Sequence, residues 1–155
     1  MKNDKFLVGI LVFIGLLVVT ALVLFATGQS NQDYVTDDSP EAAVHNYTLA
    51  LTRGDYERAY SYLASGEEKP SAVAFRTFFT QFDPLQDAGL RIEGSDIFDD
   101  EAVVEVTVVQ GPSGPFDPGF DRPDTAVLIL EGGEWKIESM PWPFWEFGWY
   151  EDTTR

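Results

Sequence analysis

Residues 39–64, SPEAAVHNYTLALTRGDYERAYSYLA, decide the fold of this chain. Ser39 stands where a helix N-cap belongs, Pro40 has the fixed φ that suits a first helical position, and Glu41 meets the positive end of the helix dipole. Val44, Tyr47 and Leu51 follow at helical spacing, and Gly54 can adopt the left-handed conformation that ends a helix. Asp55 can cap a second, shorter helix whose apolar stripe is Tyr56, Ala59, Tyr60 and Leu63. Only Arg53-Gly54-Asp55 separates the two, so they must fold back on one another. That Arg-Gly-Asp triplet reads as a helix stop followed by a helix cap rather than as an adhesion motif. Phe75, Phe78, Phe79 and Phe82 at i, i+3, i+4 and i+7 predict a third helix with a core-facing stripe, closed by Asp83-Pro84.

Beyond Leu90 the hydrophobic period changes to two. In residues 101–109, EAVVEVTVV, Ala102, Val104, Val106 and Val108 share one face of a half-buried strand. A preceding strand carries Leu90, Ile92, Ile97 and Phe98, with Gly94 marking a bulge or bend, and Asp99-Asp100-Glu101 turns the chain. A Gly132-Gly133 hairpin sets Leu130 opposite Trp135, Leu128 opposite Ile137, Ala126 opposite Ser139, and Ile129 opposite Lys136 on the other face. Residues 111–124, GPSGPFDPGFDRPD, are expected to form a long loop and a first candidate contact surface. Helices followed by four antiparallel strands make an α+β plan, with the helices on one face of a curved sheet.

The N-terminus is of a different kind. Phe6 to Ala26 carries no charge and only Thr20 is polar, and as a helix it would span about 30 Å, the thickness of a bilayer core. Lys2, Lys5 and the terminal amine precede it and acidic residues follow from Asp33, so the expectation is a single-pass anchor in the cell membrane with a cytoplasmic N-terminus. A cleaved signal peptide, with Ala26-Thr27-Gly28 at the cleavage site, is disfavoured by the length of the apolar run. The expected divisions are residues 1–28 as cytoplasmic tip and transmembrane anchor, 29–38 as flexible tether, and 39–155 as the extracytoplasmic domain.

The 155-residue chain has 45% hydrophobic residues, enough for a sizeable core, and no cysteine, which removes disulfides, thiolate metal sites and thiol nucleophiles. A formal charge of -16 excludes nucleic acid and anionic lipid headgroups as partners. His45, the only histidine, falls off the Val44–Tyr47–Leu51 stripe, which places it on the helix surface rather than in catalysis. Asp117, Asp121 and Asp124 share the long loop, but their spacing is not that of a calcium loop and prolines interrupt it, so no metal is expected. The sequon Asn46-Tyr47-Thr48 lies within a helix beside a core tyrosine and reads as chance. No phosphate loop, nucleophile elbow or zinc motif is present, and no catalytic residue or cofactor is expected.

Residues 140–150, MPWPFWEFGWY, hold six aromatic rings. Pro141 and Pro143 forbid a regular helix or central strand. The segment is therefore expected to run irregularly over the open end of the core with its rings as a cover. A carbohydrate platform of Trp142, Trp145 and Trp149 and a membrane-interface element are the alternatives.

Residues 39–64 together with the closing Gly132-Gly133-Glu134-Trp135-Lys136-Ile137 resemble small exported domains of the nuclear-transport-factor-2-like, cystatin-like cone superfamily. The resemblance spans about Ser39 to Met140 and implies a cone-like domain of three helices packed on a curved four-stranded antiparallel sheet, preceded here by the transmembrane helix. That superfamily includes enzymes, transport factors and bacterial envelope domains, and the acid/base pair of its enzymes has no match at any position here. The expected function is accordingly a membrane-tethered, non-catalytic binding or interaction module with an envelope protein, small molecule or glycan as partner. The alternatives are an enzyme of dehydratase or isomerase type using a cone pocket, and glycan binding by the aromatic tail. Candidate ligand-contacting residues are Tyr47, Tyr60, Phe79, Trp135, Trp142 and Trp145.

Overall fold

The computed structural model describes residues 4–27, 33–66, 69–112 and 118–150. The chain divides after Asp33 into two compact units. The first contains α1 (Asp4–Thr27), in which the Thr20 hydroxyl donates to the Leu16 carbonyl at 2.8 Å. Its side chains are described from Val8 to Ala21 and are exposed. Among the described residues no helix is long and apolar enough to cross a membrane.

The second unit contains α2 (Pro40–Thr52), α3 (Tyr56–Ser61), α4 (Ala72–Phe82) and a four-stranded antiparallel sheet in the order β1 (Ala88–Phe98), β2 (Glu101–Gln110), β3 (Phe120–Glu131), β4 (Glu134–Ser139). The helix starts form as their cap residues dictate. The side chains of Ser39, Asp55 and Ser71 accept from the backbone N–H of Ala42, Arg58 and Ala74. Gly54, at φ +70°, ends the first turn between helices, and Asp83 takes a left-handed conformation at the end of α4.

The strand faces follow the period-two pattern. Ala102, Val104, Val106 and Val108 are all buried, and they join Ala126, Leu128 and Ile137 in the core. The register of β1 shifts between Ile92 and Gly94, so the bulge falls beside the expected glycine. At the β3–β4 hairpin, Leu128 faces Ile137, Ile129 faces Lys136 and Leu130 faces Trp135. The expected Ala126–Ser139 pair is not made: an irregularity between Val127 and Leu128 brings Val127 opposite Ser139.

The long loop is shorter than expected, because Phe120 to Asp124 belong to β3 and pair with β2. Pro123 is tolerated there because β4 pairs only with Val127 to Glu131, which leaves the other side of β3 an open edge at residue 123. Residues 111, 112, 118 and 119 lie outside any strand, and Asp117 lies outside the described residues. Asp121 and Asp124 are engaged in ion pairs with Arg91 at 3.0 Å and Arg122 at 3.4 Å.

The apolar stripes meet as one core. Val44, Tyr47 and Leu51 of α2 and Phe75, Phe78 and Phe79 of α4 are buried, whereas Phe82 is exposed at the helix end. The aromatic segment crosses this core irregularly and ends in a 3-10 turn at Phe147–Tyr150. Met140, Phe144 and Trp145 are buried, and Trp149 packs on Phe75, Phe78 and Phe79 with ring centroids 5.1 to 5.9 Å apart.

Candidate functional site

The interior between sheet and helices, where a cone pocket would lie, is occupied by the protein's own side chains. Tyr47 and Phe144 are 0% exposed, Phe79 and Trp145 3%. The Tyr47 hydroxyl donates to the Phe144 carbonyl at 2.8 Å and ties α2 to a segment 97 residues away. Among the described residues the buried polar or charged ones are Asn46 and Thr107, and neither is an acid or base. The six candidate residues are thus dispersed. Tyr47, Phe79 and Trp145 lie in the core; Tyr60 is half-buried, its hydroxyl donating to the Pro70 carbonyl at 2.8 Å. Trp142 is 43% exposed against Phe78, and Trp135 is half-buried at the sheet edge.

The cleft that opens to solvent with polar walls lies at Trp135. It has a volume of about 400 Å³ and is bounded by residues 35–39, by α2 and α3, and by the start of β4. Its first wall was expected as free tether. Instead the Asn46 amide grips the Val35 backbone, accepting from its N–H at 2.8 Å and donating to its carbonyl at 2.7 Å. Arg58 lies 3.4 Å above the Tyr34 ring and Arg53 lies 5.0 Å from it, so two cations hold the same aromatic. Asp37 accepts from the Ser39 backbone and hydroxyl at 3.1 and 2.6 Å. Asn46 is in the sequon, and its amide is committed to this clasp.

The second wall is set by the end of α3. Residues 62–64 cover the outer edge of β4: the Ile137 N–H donates to the Tyr62 carbonyl, and the Ala64 N–H to the Ile137 carbonyl, both at 2.8 Å. This brings Tyr62 and Ser61 beside Trp135. Lys136 donates to Glu134 at 2.7 Å and to the Ser61 carbonyl at 3.0 Å. The hydrogen bond from Lys136, and then its charge, hold the Glu134 carboxyl below the ordinary glutamate range. Among the described residues the Asp38 carboxylate, the Tyr62 hydroxyl and the Trp135 indole N–H make no hydrogen bond within the protein.

A second groove of about 420 Å³ runs between α3 and α4, lined by Tyr56, Tyr60, Val73 and Arg76 among others. It is more apolar, and Glu57 shares it with Arg76. His45 is half-buried in α2 and lines neither cleft. No group of three or more metal-ligating side chains gathers among the described residues.

Sequence reasoning named Trp135 among its candidate contact residues without placing it at this cleft, and it missed Tyr34, Asp38, Arg58 and Tyr62. The one signal was Asn46, a polar residue beside Val44 and Tyr47 on a helix that is otherwise buried there. A buried amide needs a partner, and nothing in the helix itself supplies one.

No protein-family model matches the chain. No curated protein matches it either. Among solved structures it is similar to a SEC-C motif containing protein from Rhodopseudomonas palustris, with 19% identity over 66% of this chain and 77% of that one and a TM-score of 0.49. A nuclear-transport-factor-2-like protein of unknown function from Shewanella oneidensis shares 10% identity over 63% and 89% of the two chains, with a TM-score of 0.46. A protein with a cystatin-like fold from Caulobacter vibrioides shares 17% over 64% and 82%, with a TM-score of 0.44. The likeness is one of fold, to nuclear-transport-factor-2-like and cystatin-like proteins.

Proposed function

We propose that this protein is a membrane-tethered, extracytoplasmic binding module without catalytic activity, anchored once through its N-terminal helix with the N-terminus in the cytoplasm. The observation that carries the non-catalytic reading is the filled interior: Tyr47, Phe75, Phe144, Trp145 and Trp149 stand where a cone-shaped enzyme would hold substrate. Catalysis in such a fold needs a concave site with convergent acid and base. Here the polar groups left for contact lie on the outer surface instead. Tethering is supported by the uncharged run from Phe6 to Ala26, which matches a bilayer in length, and by the basic residues before it and acidic residues after it.

The absence of native cysteine makes topology directly measurable. Asp100→Cys places a thiol in the exposed β1–β2 turn, and Asn3→Cys places one before the anchor. In intact cells a membrane-impermeant maleimide should label the first and not the second, and both after lysis. Recovery of the chain in the soluble fraction after carbonate washing, or protection of Cys at position 100 in intact cells, would refute the tethered orientation.

A further inference from the structure

We propose that the cleft at Trp135 is a saccharide-binding site that takes one or two uncharged sugar rings. The inference deepens the binding-module reading and rests on it. A sugar ring has an apolar face of C–H bonds and an edge of hydroxyls, so a site for it needs a flat aromatic surface beside polar groups that both donate and accept. The negative face of an indole attracts the slightly positive C–H bonds. Trp135 supplies that surface, half-buried and held by its pairing with Leu130 and by packing on the core.

The polar requirement is met from two sides. Asp38 offers an acceptor and the Tyr62 hydroxyl a donor or acceptor, and neither is spent on another of the described residues. Glu134 and Lys136 form a neutral pair at 2.7 Å on the same rim, and the exposed Glu134 carboxylate keeps acceptor capacity beyond that bond. The volume of about 400 Å³ lies at the lower end of ligand pockets, which run from about 300 to 1,000 Å³.

Charge narrows the ligand. Asp37, Asp38 and Glu134 face Arg58 and Lys136 in the cleft, and the whole chain carries -16, so an anionic glycan is disfavoured. The tail tryptophans do not supply a comparable platform: Trp145 is buried, Trp149 is packed on α4, and Trp142 stands against Phe78. Asn46 has a positioning role, since its grip on Val35 holds the wall that presents Asp38.

The test is titration of the full chain in lipid nanodiscs with maltose, cellobiose and N,N′-diacetylchitobiose, read by tryptophan emission and saturation-transfer NMR. At least one disaccharide should bind with a Kd of about 1 mM or tighter. Trp135→Leu and Asp38→Asn should each weaken it about tenfold, Trp135→Phe should keep affinity within about threefold, and Trp142→Leu should leave it unchanged. Absence of binding by all three sugars at about 10 mM, or loss of binding in Trp142→Leu with retention in Trp135→Leu, overturns the proposal. Should Trp135→Leu fail to fold, Asp38→Asn decides, and unchanged affinity in that variant overturns the site. A negative sugar titration leaves the maleimide topology result standing, so the two proposals fail separately.

Discussion

Replacing Phe144 by alanine tests whether the aromatic segment is part of the core. The Phe144 ring is 0% exposed, and its carbonyl receives the Tyr47 hydroxyl at 2.8 Å. Removing such a ring takes away its transfer free energy and leaves a cavity that the rigid surroundings close only in part. The expected cost is about 3–5 kcal/mol. For a domain of this size that lowers Tm by about 10–25 °C. Phe147, three residues on and 63% exposed, provides the contrast: Phe147→Ala should cost less than about 1 kcal/mol. Thermal and urea unfolding of both variants, followed by near-ultraviolet circular dichroism and tryptophan emission, separates the outcomes. Phe144→Ala should also shift the emission to the red, because Trp145 belongs to the same buried cluster and Trp149 packs against it. A loss below about 1 kcal/mol for Phe144→Ala, or an equal loss for Phe147→Ala, would refute the view that the segment closes the core.

Other consequences can be checked with single substitutions. Tyr47→Phe removes the donor to a buried carbonyl and should cost about 1–3 kcal/mol in denaturant unfolding with no change in the register of the sheet. Asn46→Ala should release residues 34–38, seen as fast hydrogen exchange at the Val35 amide and new protease cleavage before Ser39, with α2 intact. Gly119→Ala should destabilise by about 2 kcal/mol or more, because φ is +72° there and an added Cβ would run into the Gln110 carbonyl. Glu134 should titrate below an ordinary glutamate by NMR, and Lys136→Gln should return it toward the ordinary range by removing the donor and the positive charge.

The secondary structure was largely legible in the sequence because its signals are local. Ser39 and Asp55 cap helices through bonds to residues three positions on, and Gly54 ends α2 by its own φ. The alternation Ala102–Val104–Val106–Val108 named the buried face of β2 for the same reason. The Gly132-Gly133 turn likewise set the hairpin register as far as Leu128, where the irregularity beside Val127 broke it. Pro123 concealed the start of β3, since proline is excluded from a strand only where its nitrogen faces a partner, and which edge is open depends on how far β4 reaches.

Local signals along the chain were enough for the order of helices and strands, the faces they bury, and an aromatic segment too broken by proline to be either. Only the packed fold sets Trp135 on an open cleft, apart from the interior in which Tyr47, Phe79 and Trp145 are buried. It also decided that Val35 is held by Asn46, and that Tyr34, Asp38, Arg58 and Tyr62 gather at one place. Capping and periodicity act within a few residues, where the chain's own geometry fixes neighbours. The clasp and the cleft join groups from 11 to about 100 positions apart, and such neighbours exist only once the core has packed.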